Sequence, residues 1–136
     1  MFTILYIFSG CALLIARLIL AYILLVAHGL PKLKDFKGTA GWMDSVGFKP
    51  GALFAVLAIG LEVFGAIALI FGFLTQIVAA AAVVQFVILS IWKWRTKKPL
   101  FGSLEIDLLM LALALVFLTM GPGNYALDNV FFGTGV

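Results

Sequence analysis

Cysteine occurs once in the chain, as Cys11, and histidine once, as His28. A single thiol excludes an intramolecular disulfide, a CxxC redox pair and a multi-cysteine cluster site. A single imidazole excludes a bis-histidine haem within one chain. There is no GxGxxG loop and no iron–sulfur motif, so no metal or bound redox group is expected, and electrons for any redox chemistry come from elsewhere. Charge is scarce as well. Only 11% of the residues are charged against 65% hydrophobic, and with a mean hydropathy of +1.24 there is too little polar surface to cover a soluble domain. The first apolar stretch has neither a basic leader nor a small-residue cleavage site, which argues against a signal peptide. The remaining class is an all-α integral membrane protein, a single domain over residues 1–136.

Four apolar runs fit transmembrane helices, at about 4–30, 52–73, 77–94 and 103–120, each long enough for a hydrocarbon core of roughly 30 Å. The second run, ALFAVLAIGLEVFGAIALIFGF, carries Glu62 near its middle. Ala58, Gly65 and Ala66 share its face, which suits close helix contact rather than lipid. The short uncharged turn after it makes the second and third runs an antiparallel hairpin. Residues 31–51 form an interfacial loop, with a short amphipathic helix expected around 39–46 and Trp42 as its anchor. Eight of the nine basic residues lie in 31–51 and 93–102. The positive-inside rule then places both termini on the non-cytoplasmic side of the cell membrane. The net charge of +3 accordingly implies orientation and lipid contact, not nucleic acid.

Polar residues inside the spans are the candidates for function. Arg17 falls near the centre of the first run and Glu62 near the centre of the second, so the two are expected at similar depth on neighbouring antiparallel helices. That placement is compatible with a buried ion pair that fixes helix register, and equally with ligand or proton handling. His28 and Glu105 fall near the basic interface, as a proton inlet or as a helix-end imidazole and a helix-start acid. Glu105 and Asp107 lie about 200° apart around a helix and do not both face one site. Cys11 reads as a small apolar packing residue.

Four stretches carry a family resemblance. They are Ala16-Arg17-Leu18 with His28-Gly29-Leu30-Pro31-Lys32-Leu33; Gly60-Leu61-Glu62-Val63-Phe64-Gly65 with Gly72 and Thr75; Glu105 opening the last helix; and Gly121-Pro122-Gly123-Asn124-Tyr125-Ala126-Leu127-Asp128 at its end. In this order they span nearly the whole chain, and the chain resembles the DoxX family of small four-helix membrane proteins, which includes DoxD-type subunits of thiosulfate:quinone oxidoreductase. Ala126 stands where that family often has Ser. The resemblance implies a four-helix transmembrane bundle and a membrane subunit of a redox complex, in contact with quinone or supporting a larger oxidoreductase partner. It does not imply a stand-alone oxidoreductase. On that reading Arg17, Glu62, His28 and Glu105 are the quinone or proton-handling candidates, and Gly121, Pro122, Gly123 and Asp128 form a family turn. Membrane lipids are the other expected contact, and self-association into a homo-oligomer is compatible with the sequence. A purely structural subunit held by an Arg17–Glu62 pair is the alternative; a small transporter would require the helices to oligomerise around a pore.

Overall fold

The computed structural model describes residues 3–132. After a single helical turn at Thr3–Tyr6, four helices long and apolar enough to cross a membrane follow: α1 (Ser9–Lys34), α3 (Gly51–Phe71), α4 (Thr75–Arg95) and a segment Leu100–Met120. The regular part of that last segment is α5 (Glu105–Met120). Two short helices complete the described residues, α2 (Phe36–Ser45) between the first two spans and α6 (Leu127–Phe132) after the last. Each span packs against the next in sequence, and a thinner α1–α5 contact closes the ring. The start of α1, the α3–α4 turn and α6 share one end, here the turn end. The loops rich in Lys and Arg share the other, the basic end.

The core is built from one narrow stripe per helix. Leu20, Ala21 and Leu24 of α1 meet Ala66 and Leu69 of α3, Ala79, Ala82 and Phe86 of α4, and Met110, Ala114 and Phe117 of α5. Alanine at these positions lets the backbones approach, as in membrane helix packing generally. The opposite faces are bare and apolar, with Phe64, Ile77 and Leu109 all more than 60% exposed. Lipid covers such faces, because apolar side chains gain nothing from burial against protein rather than acyl chain.

The first span differs from its sequence expectation in a way that fixes the position of everything polar. It starts at Ser9 and runs on to Lys34, past Pro31. Between Ile23 and Gly29 it widens to π-helical bonding, with the Leu30 N–H donating to Leu25 five residues back. Pro31 then stands in the first turn of a resumed α-helix, where its missing N–H breaks no ladder bond. The span is therefore shifted along the sequence, and Arg17 lies nearer the turn end than the bundle centre.

Candidate functional site

Six acids are present, and four of them serve helix N-termini. Asp35 accepts from the Gly38 N–H at 3.1 Å at the start of α2, and Asp44 from the Gly51 N–H at 2.7 Å at the start of α3. Asp128 accepts from the Leu74 and Thr75 N–H groups, 2.6 and 2.9 Å away, at the start of α4. Glu105 reaches back to the Gly102 N–H at 2.8 Å. Each satisfies donors that a helix start leaves open, with the negative end where the helix dipole favours it. Only Glu62 and Asp107 remain, and both are buried to within 1%.

Those two acids are paired with lysines at the basic end. Lys32, from the extended last turns of α1, lies 2.5 Å from Glu62 Oε1. Lys93, from the last turn of α4, lies 2.6 Å from Asp107 Oδ2. The Gln85 side-chain amide of α4 also donates to Glu62 Oε1. Both donors thus converge on one carboxylate oxygen, and Oε2 is buried with no hydrogen-bond partner among the described residues. Gly29 makes this approach of α1 to α3 feasible: a Cβ there would lie 3.2 Å from the Glu62 backbone. His28 stands between the two pairs, within electrostatic range of Glu62, Lys32, Asp107 and Lys93, its ring edge-on to Phe86 at 5.8 Å. A groove of about 500 Å³ follows the thin α1–α5 seam, lined by Ile23, Ala27, His28, Lys93, Ile106 and Asp107 among others. It offers an apolar wall, a cationic donor, an imidazole and a carboxylate.

Arg17 belongs to the turn end. Its guanidinium donates to the Pro122 carbonyl at 2.7 Å and the Tyr125 carbonyl at 2.5 Å, and it feels the charge of Asp128. Gly72, at the end of α3, has φ +68, and a Cβ there would meet Arg17 Nη1 at 2.8 Å. Gly72 is ten residues from Glu62, a separation of about 15 Å along a helix. The expected Arg17–Glu62 pair is therefore not formed, because the shifted register of α1 sets the two charges at different depths. Glu105 likewise does not join His28: its carboxylate caps its own helix start, and Asp107, on the other side of α5, faces the cluster instead. Gly121, Pro122, Gly123 and Asp128 do come together, with Pro122 held by Arg17 and Asp128 capping α4.

Lys32, Gln85, Lys93 and Asp107 are the cluster members that the sequence reading left outside the site. Gln85 signalled itself as a mid-span amide, and Asp107 by the half-turn that separates it from Glu105. The lysines gave no signal, since both sit among other basic residues at span ends. Among the described residues no group of three or more His, Cys, Asp or Glu side chains is placed to hold a metal ion.

Comparison with known proteins gives a family and two relatives. A family model described as DoxX matches residues 12–93, which takes in Arg17, His28, Lys32, Glu62, Gln85 and Lys93. The protein named "Putative oxidoreductase CatD" in Bacillus subtilis (strain 168) is 30% identical over 119 residues, covering 88% of this chain and 86% of that protein. "Inner membrane protein YphA" of Escherichia coli (strain K12) is 39% identical over 64 residues, 47% of this chain and 45% of its own length. No solved structure matches.

Proposed function

The chain belongs to the DoxX family and is a multi-pass inner-membrane protein, and from that premise we propose that it is the quinone-contacting membrane subunit of a redox system whose partner supplies the electrons. The observation that carries this reading is the buried Glu62 carboxylate with both its donors on one oxygen and the other oxygen unpartnered. A buried polar atom of this kind calls for a water, a proton or a ligand. The groove beside His28, lined by Lys93 and Asp107 and not by Glu62 itself, supports a quinone within electrostatic reach of that carboxylate by way of His28. Its volume, about 500 Å³, lies in the usual range for small-molecule sites, and its lining combines apolar walls with a few polar groups. Bound there, a quinone supplies the two-electron chemistry. The chain's own residues supply a donor to a carbonyl oxygen from Lys93 or His28, an apolar wall from Ile23, Ala27 and Ile106, and a carboxylate that exchanges a proton. The oxidoreductase name carried by the Bacillus relative agrees with this assignment.

The turn end favours a structural reading for its own residues, because Arg17 and Asp128 are taken up by backbone groups of the segments they join. On this reading Arg17 lies outside the quinone site, and Asp107, not Glu105, lines it.

The test is purification in nanodiscs followed by mass spectrometry for bound quinone and co-purifying proteins. Wild type is expected to retain quinone near one per chain, and Lys93→Met or Glu62→Gln to lose it at least tenfold while remaining folded. Equal quinone in wild type and variants, or none in any of them, overturns the reading.

A further inference from the structure

We infer that the basic end is a water-filled proton inlet, in which His28 carries protons from the basic-side solution to the free oxygen of Glu62. The inference rests on the proposed quinone reading only for the use made of the proton; the inlet itself stands on geometry. Two buried polar atoms on facing helices have no hydrogen-bond partner among the described residues: Glu62 Oε2 on α3 and Ser90 Oγ on α4. Ser90 follows Phe86 by four residues and precedes Lys93 by three, so all three share one face of α4. Phe86 touches the His28 ring and Lys93 lines the groove. Orphaned polar atoms in such a setting are ordinarily satisfied by internal water, given room and two or more polar neighbours. The groove, lined by His28 and Lys93, supplies the room at the basic end, and beyond His28 lie Glu62 with its donor Gln85 and, on the same helix as Gln85, Ser90.

His28 is placed to connect this water to solution. It lines the groove at the basic end, and the groups that face it are Glu62 from α3, Asp107 from α5, Lys93 from α4 and Lys32 from its own helix. Two positive and two negative charges cancel around the neutral imidazole, and the two carboxylates in range offset the single positive charge that protonation adds. The step is a proton transfer and moves no electrons. Water delivers one proton to one ring nitrogen, the imidazolium releases one from the other nitrogen, directly or through a water, and Glu62 becomes the neutral acid. Lys32 then has no counter-charge, which drives the proton off again toward whatever base sits in the groove. The widened backbone at Ile23–Gly29 lies along the same wall, and π-helical segments recur at functional sites.

Because His28 is the only histidine, its exchange is readable without ambiguity in untagged protein. Quinone-free protein in nanodiscs is moved into D2O, and deuterium at His28 C2 is followed by mass spectrometry. In parallel, protein at a pH low enough to protonate Glu62 is moved into D2O, and the carboxyl band that disappears in Glu62→Gln is followed by infrared spectroscopy. The expected result is exchange at His28 near the rate of a solvated histidine, and a Glu62 band whose deuterium shift slows tenfold or more in His28→Phe. A His28 that does not exchange in wild type overturns the inlet, and so does a Glu62 band indifferent to His28→Phe. Should His28→Phe fail to fold, the wild-type exchange still decides. Neither readout uses quinone, so a wet inlet without bound quinone would overturn the quinone reading alone.

Discussion

Arg17 directs two guanidinium nitrogens at the carbonyls of Pro122 and Tyr125, more than a hundred residues away in the chain. Hydrogen bonds from a charged donor to such acceptors contribute about 1.5–3 kcal/mol each. Arg17→Met is therefore expected to lower stability by roughly 3 kcal/mol or more, seen as a lower midpoint of thermal unfolding in nanodiscs, with bound quinone per folded chain unchanged. Asp128→Asn, which weakens the cap on α4, is expected to cost about 1 kcal/mol by the same measurement. Glu62→Gln is expected to behave in the opposite sense: the amide still fits between Lys32 and Gln85, so folding survives while quinone retention falls. Loss of quinone in Arg17→Met, or an unchanged melt, would return Arg17 to the functional site. That Arg17 and Glu62 are buried was legible from their place in apolar runs, since a charge in a membrane span faces protein. Their partners were not, because beginning the first helix at Ser9 and not near residue 4 moves a side chain by about 7.5 Å, roughly a quarter of the hydrocarbon core.

At the scale of elements, α1 decides which polar groups meet. Its extension through Pro31 brings Lys32 to Glu62, and the contact depends on Gly29 lying against the α3 backbone. A Cβ at Gly29 would come within 2.9 Å of Val63 Cγ2, so Gly29→Val is expected to push the helices apart at a cost of about 1–3 kcal/mol. The diagnostic consequence is local: Lys32 loses its hold on Glu62, and its amine becomes more reactive to water-soluble acylating reagents in protein that is still folded. Unchanged reactivity would show that α1 and α3 do not depend on this glycine. The four apolar helices, a short turn between the second and third and a short helix in the loop after the first were readable from apolar runs and short polar breaks, but the start of that short helix at Phe36 under an Asp35 cap was not. The π-helical stretch and the passage through Pro31 were not, because proline ordinarily ends a helix and only a ladder already reset lets it continue. Asp107 was set aside for a related reason: at the start of a span an acid serves the helix terminus by default, and here Glu105 takes that role and frees its neighbour for Lys93.

For the whole molecule the open quantity is which end faces the cytoplasm, since the fold places the inlet at the basic end and the orientation decides the solution it draws from. Eight of nine basic residues lie at that end, where Trp42 packs edge-on against Trp92 at 5.2 Å and Lys98 lies over the Trp92 ring at 5.9 Å. Indole rings beside lysines mark a headgroup region, and the charge bias predicts that it lies in the cytoplasmic leaflet. In a Cys11→Ala background, Asn124→Cys at the turn end is expected to react with an impermeant maleimide on intact cells, whereas Lys97→Cys is expected to react only after permeabilisation. Both positions are exposed, so accessibility alone does not separate them. The reverse pattern would place the Lys32–Glu62 and Lys93–Asp107 pairs toward the non-cytoplasmic side. Protons taken up at His28 would then come from outside the cell, and quinone chemistry at the groove would dissipate a proton gradient that the expected orientation helps to build.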